Sequence, residues 1–305
     1  MPSSIPASAT NKPDALPSAV AHVSQARTGL WHHARHNRQM LIGMVCVGAF
    51  ALLALLAPII AKDPAALDLM NDLLPPSTTA LFGTDELGRD QFSRIVYGGR
   101  VSLQVAMLAV GIGLVFGVPL GLIAGFYGER IDNLTMRTMD GLQAFPAVLL
   151  AIVIASVLGS GLTNAMIAIG IVSIPGFARL MRGQTLQIKE TDYVMSARSV
   201  GASNAHIILR HILPNGVAPI IVAAAVSSAG AILTEASLSF VGLGARPPTP
   251  SWGGMLQTGY PYLGTAIWLS LFPGLAIALT TLGLNFLGDG LRDVLDPKLR
   301  RGYNR

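Results

Sequence analysis

The sequence predicts an all-α integral membrane protein with six transmembrane helices, and three observations support this prediction. Of the 305 residues, 51% are hydrophobic and only 12% are charged, against about 25% charged in soluble domains. The mean hydropathy is +0.55, and the 33 glycines match the enrichment of glycine in transmembrane helices. Long uncharged runs also alternate with short polar segments, as in a polytopic membrane protein.

The chain begins with a polar segment and then a first span. Residues 1–38 are rich in Pro, Ser and Ala and lack hydrophobic periodicity, so we predict a mostly disordered cytoplasmic tail. The basic, aromatic stretch at 31–38, WHHARHNR, suits a juxtamembrane anchor. A metal site at His32 and His36, four residues apart, is the alternative. Residues 40–61 carry no charge and, at ~1.5 Å per residue, are long enough to cross a ~30 Å hydrocarbon core.

Five further spans are expected, because the remaining uncharged runs allow that number. The run at 142–178 would be roughly 55 Å long as one helix, so Gly159-Ser160-Gly161 is expected to divide it into two spans. The predicted extents are an extracytoplasmic segment at 62–100, a core at 101–288 and a cytoplasmic tail at 289–305. Within the core we expect spans at 101–126, 142–178 (two), 217–244 and 266–288, with polar loops at 127–138 and 179–216.

The distribution of basic residues predicts the orientation of these spans. With the N-terminus in the cytoplasm, the inner segments hold 16 of the 21 Lys and Arg residues and the outer segments hold 5. This threefold bias follows the positive-inside rule and predicts that both termini are cytoplasmic. The net charge of +5 is then an orientation signal, and it does not indicate nucleic-acid binding.

Motifs for catalysis are missing from the sequence. No Walker A pattern occurs, since none of the four lysines follows a glycine: Lys12, Lys62, Lys189 and Lys298. All six histidines lie in segments predicted to be cytoplasmic, and the lone Cys46 cannot build a disulfide framework or a cysteine zinc site. We therefore predict that the chain is not an enzyme and that it holds no metal or cofactor of its own.

The polar stretch at 193–214, YVMSARSVGASNAHIILRHILP, is too charged to cross a bilayer but is regularly patterned. Apolar residues recur at helical spacing up to Val200, Gly201 permits a bend, Ser203 suits an N-cap, and Pro214 is expected to stop a second helix. The pattern predicts two short amphipathic helices with an apolar stripe to bury. Docking into another protein and lying on the lipid surface both remain open on spacing alone.

A few polar residues inside the predicted spans are candidates for a translocation path. Glu235 is the single formal charge within a span, and such residues usually face protein or water. It either lines the path and meets a cationic group such as a peptide amine, or it has a structural role near the outer interface, bonded to Thr234 or Ser237. The other path candidates are Gln143, Ser227 and Asn285, although most intramembrane polar residues serve helix packing.

Two segments expected on the outer face are unusually structured for exposed loops. FGTDELGRD (82–90) alternates acids and bases around glycines, and ARPPTPSWGGML (245–256) combines proline stiffness with Trp252. Each either caps the membrane domain or contacts a partner protein, and the sequence leaves both readings open.

The stretch at 193–214 resembles the cytoplasmic EAA loop of ABC-importer permeases, whose pattern is E-A-A, three residues, G, nine residues, then I-x-L-P. Ala197 takes the second Ala position, Gly201 the Gly, and Leu213-Pro214 the closing pair. The sequence departs from the pattern at Met195 in place of Glu, Ser196 in place of the first Ala, and His211 in place of Ile. The resemblance implies a loop that couples to an ATPase subunit through Ser196, Ala197, Gly201, Ala202, Ser203, Leu213 and Pro214.

Four motifs in order extend the resemblance over roughly residues 30–300. FGTDELGRDQFSR, the loop ending HILPN, SLSFVGLGARPPTPSWGGML and GDGLRDVLDPKLR are similar to the C-type permease of peptide (dipeptide, oligopeptide, glutathione) and nickel ABC importers. This implies the type I importer permease fold in a bacterial cytoplasmic (inner) membrane. The implied partners are a second permease, two ATPase subunits that hold the ATP and Mg, and an extracytoplasmic binding protein.

The expected function is therefore import of di- or oligopeptides, driven by ATP hydrolysis on partner subunits. Nickel or a nickel chelate is the alternative substrate, although no span contains a histidine. An ion-coupled secondary transporter is a second alternative, but it predicts intramembrane ion-coupling groups and an inverted repeat, and the sequence shows one acidic residue and no evident repeat. A membrane scaffold without transport activity is a third.

Overall fold

The computed structural model describes residues 37–295. Within that range all named elements are helical, and the single exception is an isolated bridge between Thr84 and Asp90. The predictions made for 1–36, including the tail and the pair His32 and His36, and for 296–305 lie outside the described residues.

Most of the helices follow one another with short connections, and the segment 61–90 is the long exception. In chain order they are α1 (Arg38–Ile60), α2 (Gln91–Tyr127), α3 (Glu129–Gln143), α4 (Ala147–Leu158), α5 (Leu162–Lys189), α6 (Asp192–Ser199), α7 (Asn204–Ile207), a π-helix (Ile208–Ile212), α8 (Leu213–Phe240), α9 (Trp252–Gly259) and α10 (Trp268–Leu295). Short 3₁₀ turns lie at Leu69–Asn71 and Tyr260–Tyr262.

Five of these helices are long and apolar enough to cross a membrane: α1, α2, α5, α8 preceded by α7 and the π-helix, and α10. A sixth crossing exists if the bent pair α3 and α4 counts as one broken span, since their axes differ by 89°. The predicted six spans therefore become five straight spans and one bent one. Helix α4 has 12 residues, which rise about 18 Å and fall short of a ~30 Å hydrocarbon core.

Two local predictions were wrong for identifiable reasons. The polar loop expected at 127–138 is the amphipathic helix α3, which begins with Glu129 and Asp132 in its first turn and buries Met139. Its charges suggested a loop, although a surface helix also tolerates charge on one face. Pro214 does not stop a helix, because it lies at the start of α8, where a missing backbone N–H is tolerated.

The long helices run between two ends of the bundle, which we call the loop end and the cap end. The loop end holds the C-termini of α2 and α5, the helices α6 and α7, and a hydrogen bond from Asn37 Nδ2 to Asp293 Oδ2 of 2.9 Å. The cap end holds segment 61–90 and helix α9 (Trp252–Gly259). The turn before α5 also lies there, where Gly161 N donates to Leu243 O over 3.3 Å.

Helices α2 and α5 approach closely along a line of glycines. Gly113, Gly117, Gly121 and Gly125 recur every four residues on one face of α2. A Cβ on Gly117 would lie 2.6 Å from the carbonyl oxygen of Ile174, and one on Gly121 would overlap the carbonyl oxygen of Ala178. Small residues at four-residue spacing let transmembrane helices pack backbone to backbone, so this interface fixes the direction of α5 towards the loop end.

A buried ionic network closes the cap end. Asp85, 2% exposed, accepts from Arg89 Nε over 2.7 Å and pairs with Arg94 Nε at 3.2 Å. Arg89 also pairs with Glu86 at 3.0 Å. Asp85, Arg89 and Arg94 pair with one another, which supports the reading of this segment as a cap of the membrane domain.

Buried side chains tie this cap to α9 and α10. Trp252 Nε1 donates to Ile95 O over 2.9 Å, and Gln91 Nε2 donates to Leu269 O over 3.1 Å. The Phe82 ring stacks on Phe272 with centroids 4.2 Å apart. The cap end is therefore a packed unit that holds the first turn of α2 in place.

Candidate functional site

The loop between α5 and α8 has the predicted bent geometry. Helix α6 ends at Ser199, and Gly201 has φ +82°, in the left-handed region that favours glycine. Ala202 N donates to Ala197 O over 3.0 Å, which closes the end of α6. Ser203 caps the next helix by accepting from His206 N over 3.3 Å, as predicted.

Part of the apolar stripe of the loop packs against the chain's own bundle. Val194, Ile207 and Ile212 are fully buried, and they belong to the same core cluster as Phe126 and Met181. The predicted stripe is therefore divided, because these three buried residues pack within the chain while Tyr193 and Val200 remain exposed. A partner of the loop would contact its exposed part.

Other apolar side chains of the loop are exposed. The Val200 side chain is 84% exposed beside Gly201, and Tyr193, Met195 and Leu209 are between 45% and 63% exposed. Loops of a soluble surface are normally polar, and a cluster of exposed apolar residues typically marks a contact with a partner or a membrane.

Polar contacts fix the loop to the ends of α2, α3 and α5. The Arg198 guanidinium lies 5.8 Å from the centroid of the Phe126 ring, and Lys189 Nζ donates to Gly125 O over 3.1 Å. The Asp132 carboxylate of α3 accepts hydrogen bonds from both Nε and Nη2 of Arg182 in a bidentate pair. These contacts make the loop a continuation of the bundle, so a displacement of the loop would displace the helices as well.

The structure divides the predicted coupling residues between two elements. Ser196, Gly201 and Ser203 are exposed, and Ala197 and Ala202 are half-buried, all of them around the bend after α6. The other two lie at the start of α8, where Leu213 is half-buried and Pro214 is exposed.

Glu235 is enclosed within the chain. Its side chain is 1% exposed, Ser239 Oγ donates to Oε1 over 2.5 Å, and the same hydroxyl accepts from Ala245 N at 3.3 Å. The predicted hydrogen bond from Thr234 or Ser237 to Glu235 was wrong, because both hydroxyls donate to carbonyl oxygens of their own helix. The spacing of four residues between Glu235 and Ser239 was the sequence signal for the observed pair.

The four candidate path residues do not form one site. Gln143 is exposed at the end of α3, Ser227 is half-buried within α8, and Asn285 is exposed on α10. None of them, nor Glu235, lines either of two cavities of about 310 and 480 Å³. The smaller cavity lies under segment 61–90, and the larger one lies between α2 and α5.

The arrangement of helices defines the class of protein. The fold is similar to that of a chain of the MetNI methionine ABC transporter in inward-facing conformations, with a TM-score of 0.56 and 19% sequence identity. The match covers 66% of this chain and 96% of the MetNI chain. A second crystal form gives a TM-score of 0.55 at 20% identity, over 67% and 97% of the two chains. The fold is that of a type I ABC importer permease.

Sequence comparison assigns the family. Residues 117–301 match the family described as "Binding-protein-dependent transport system inner membrane component", and residues 28–76 match the "N-terminal TM domain of oligopeptide transport permease C". The chain belongs to this family of binding-protein-dependent permeases. It is a multi-pass inner-membrane protein and a transport component.

The curated relatives are similar over nearly the whole chain. The dipeptide transport system permease protein DppC of Alkalihalophilus pseudofirmus is 47% identical over 87% of this chain and 88% of its own length. The glutathione transport system permease protein GsiD of Pectobacterium atrosepticum is 46% identical over 84% and 87%. The di/tripeptide transport system permease protein DppC of Pseudomonas aeruginosa is 44% identical over 88% and 91%.

Proposed function

We propose that this chain is the permease subunit through which an ABC importer moves di- or oligopeptides across the inner membrane. The observation that carries the proposal is the similarity of 44–47% to permeases named for dipeptides, di/tripeptides and glutathione, over at least 84% of this chain. All three substrates are short peptides, so the shared chemistry is a small peptide backbone.

The proposed partners are a second permease, two ATPase subunits that bind ATP and Mg, and a substrate-binding protein on the outer face. The exposed apolar side chains of the loop support the ATPase contact, since Met195 and Val200 present apolar surface that the chain itself does not cover. Met195 stands at the Glu position of the EAA pattern, so this contact relies on apolar packing where a carboxylate would otherwise form an ion pair.

The proposed orientation places the loop end in the cytoplasm and the cap end outside. The bias of 16 to 5 in basic residues supports this orientation. The substrate-binding protein then meets the cap end, and the ATPase subunits meet the loop end.

The proposed mechanism uses the continuity of the loop with a membrane helix. Residues Asn204–Phe240 form one helical stretch of 37 residues. A displacement of the loop would therefore move α8 directly. Closure of the ATPase subunits on ATP would move this lever and shift the bundle between inward- and outward-facing arrangements. A population shift of this kind requires that the ATPase binds the loop with different free energy in the two states.

The test is reconstitution of the complete complex in proteoliposomes with a radiolabelled dipeptide. Uptake is expected only with ATP, both ATPase subunits and the binding protein present. ATP-dependent uptake of nickel or a nickel chelate without peptide uptake would replace the substrate assignment. Peptide uptake by this chain without any ATPase subunit, driven by an ion gradient, would overturn the coupling mechanism.

A further inference from the structure

A cavity of about 480 Å³ lies between α2 and α5, on the cap-end side of both helices. Its lining residues are Gln104, Met107, Leu108, Leu162, Thr163 and Met166. It is an open groove on the surface of the two helices, and its volume falls within the ~300–1,000 Å³ of small-molecule sites, which are usually mostly apolar with a few placed polar groups. This cavity shares no residue with the candidates discussed above.

Two uncharged polar side chains lie in this cavity. Gln104 and Thr163 are both exposed, and neither side chain is hydrogen-bonded to any part of the chain that the structure describes. Six of the twelve other Ser and Thr hydroxyls in the five long spans, such as those of Ser173 and Ser228, donate to a carbonyl oxygen one turn earlier. Gln104 and Thr163 thus keep their hydrogen-bonding capacity for a molecule that enters the cavity.

The position of the cavity along the bundle places it near an entrance. Gln104 lies in the first turn of the uncharged run 101–126, and Thr163 lies in the first turn of α5. In the proposed orientation this is the outer half of the membrane domain, just below the cap. A substrate released from the outer side reaches this level first.

We propose that this cavity is a peptide subsite in which Gln104 and Thr163 hydrogen-bond the backbone of the transported peptide. A glutamine amide offers both N–H donors and a C=O acceptor, and a threonine hydroxyl both donates and accepts. Both groups therefore complement a peptide unit, whatever side chains the peptide carries. The inference rests on the proposed function, because the ligand is the peptide named there.

The remaining walls suit side chains of different shapes. Met107 is 71% exposed and Leu108 is 44% exposed at the mouth, and Met166 is buried behind them. Methionine is unbranched and adapts to irregular partners, which is why it recurs at permissive binding surfaces. No charged residue lines the cavity, so neither acidic nor basic peptides are selected there.

The experiment measures peptide uptake by the reconstituted complex with Gln104→Leu and Thr163→Val. Each variant is expected to raise the apparent KM about tenfold, because hydrogen bonds to the peptide are lost. The rise should be equal for dipeptides with acidic, basic and apolar side chains. Gln39→Leu and Thr138→Val repeat the same changes at exposed positions near the loop end and should leave uptake unchanged.

A second measurement reports occupancy directly. In a Cys46→Ala background, which removes the single cysteine, Gln104→Cys should react with a maleimide, and saturating dipeptide with binding protein should slow that reaction at least fivefold. An unchanged KM together with unprotected labelling overturns the subsite. Loss of the second permease on purification also overturns it, because the face would then be a subunit interface. If the wild-type complex transports no peptide, the proposed function itself fails.

Discussion

The two ends of the bundle differ in how deeply they bury their ion pairs. At the cap end, Asp85 and Arg94 are buried and paired with each other inside one chain. At the loop end the pair of Asp132 and Arg182 is partly exposed, and apolar side chains such as Val200 face outward. The cap end pairs its buried charges within this chain but still exposes apolar side chains such as Met70 (92% exposed), whereas at the loop end both the ion pair and the apolar side chains reach the surface.

This difference assigns different tasks to the two ends. The buried pairs of Asp85 with Arg89 and Arg94 should keep their geometry when partners bind or leave, because breaking them leaves buried charges unpaired. Exposed apolar groups gain free energy only on contact. We therefore expect the cap end to keep its geometry, and in the proposed function the loop end is the part that contacts the ATPase subunits.

The largest expected effect comes from the interface that joins the two ends. Gly121→Leu should prevent stable folding, with a loss of more than about 5 kcal/mol, because the new side chain would overlap the backbone of Ala178. Gly111→Leu on the same helix has open space around its Cβ and should fold normally. Thermal denaturation of the purified proteins in detergent measures both. Equal stability of the two variants would contradict the backbone contact.

The next effect tests the cap. Asp85→Asn should destabilise the protein by about 3–5 kcal/mol, because Arg89 and Arg94 remain buried without their shared carboxylate. Asp72→Asn changes an exposed carboxyl in the same segment and should cost less than about 0.5 kcal/mol. The readout is the shift of the denaturation midpoint. A small shift for Asp85→Asn would mean that the network is not closed.

The bend of the loop gives an intermediate effect on stability and a large one on transport. Gly201→Val should cost about 1–3 kcal/mol through its positive φ, with no steric clash, since nothing lies within 4 Å of the added Cβ. Peptide uptake should be lost while insertion is retained. Gly201→Asn, which tolerates this φ, should keep most uptake, and Gly48→Val in open space on α1 should keep all of it. Normal uptake by Gly201→Val would exclude a rigid lever.

The smallest effect tests the loop-end ion pair. Asp132→Asn should cost no more than about 1 kcal/mol, because Arg182 is one-third exposed and remains solvated. The comparison with Asp85→Asn uses the same substitution and the same denaturation assay. A loss as large as that of Asp85→Asn would show that the two ends are equally dependent on buried charge.

Much of the fold followed from local patterns. The uncharged runs predicted the long helices, and the positive φ of Gly201 and the N-cap at Ser203 followed from residue types with strong backbone preferences. Helix α3 was missed because its charges were taken as a sign of a loop, although its apolar residues recur at helical spacing. The four-residue spacing of glycines on α2 was visible in the sequence, but its partner on α5 was not.

The candidate site was less predictable, because burial depends on contacts between distant segments. The spacing of the loop predicted an amphipathic stripe, but it did not indicate that part of the stripe faces Phe126 and Met181 of the same chain. Glu235 was singled out as an intramembrane charge, whereas its enclosure follows only from packing. Gln104 and Thr163 lie 59 positions apart, and nothing local relates them.

The π-helix at Ile208–Ile212 sets the angular phase between the loop and the long helix that follows. In an α-helix each residue advances about 100°, so Ile207 and Ile212 would point about 140° apart. The wider turn brings both to the buried side. Deleting one residue of this turn would rotate the loop around the helix axis by about 100°. The number of residues in the turn therefore determines the direction in which Val200 faces.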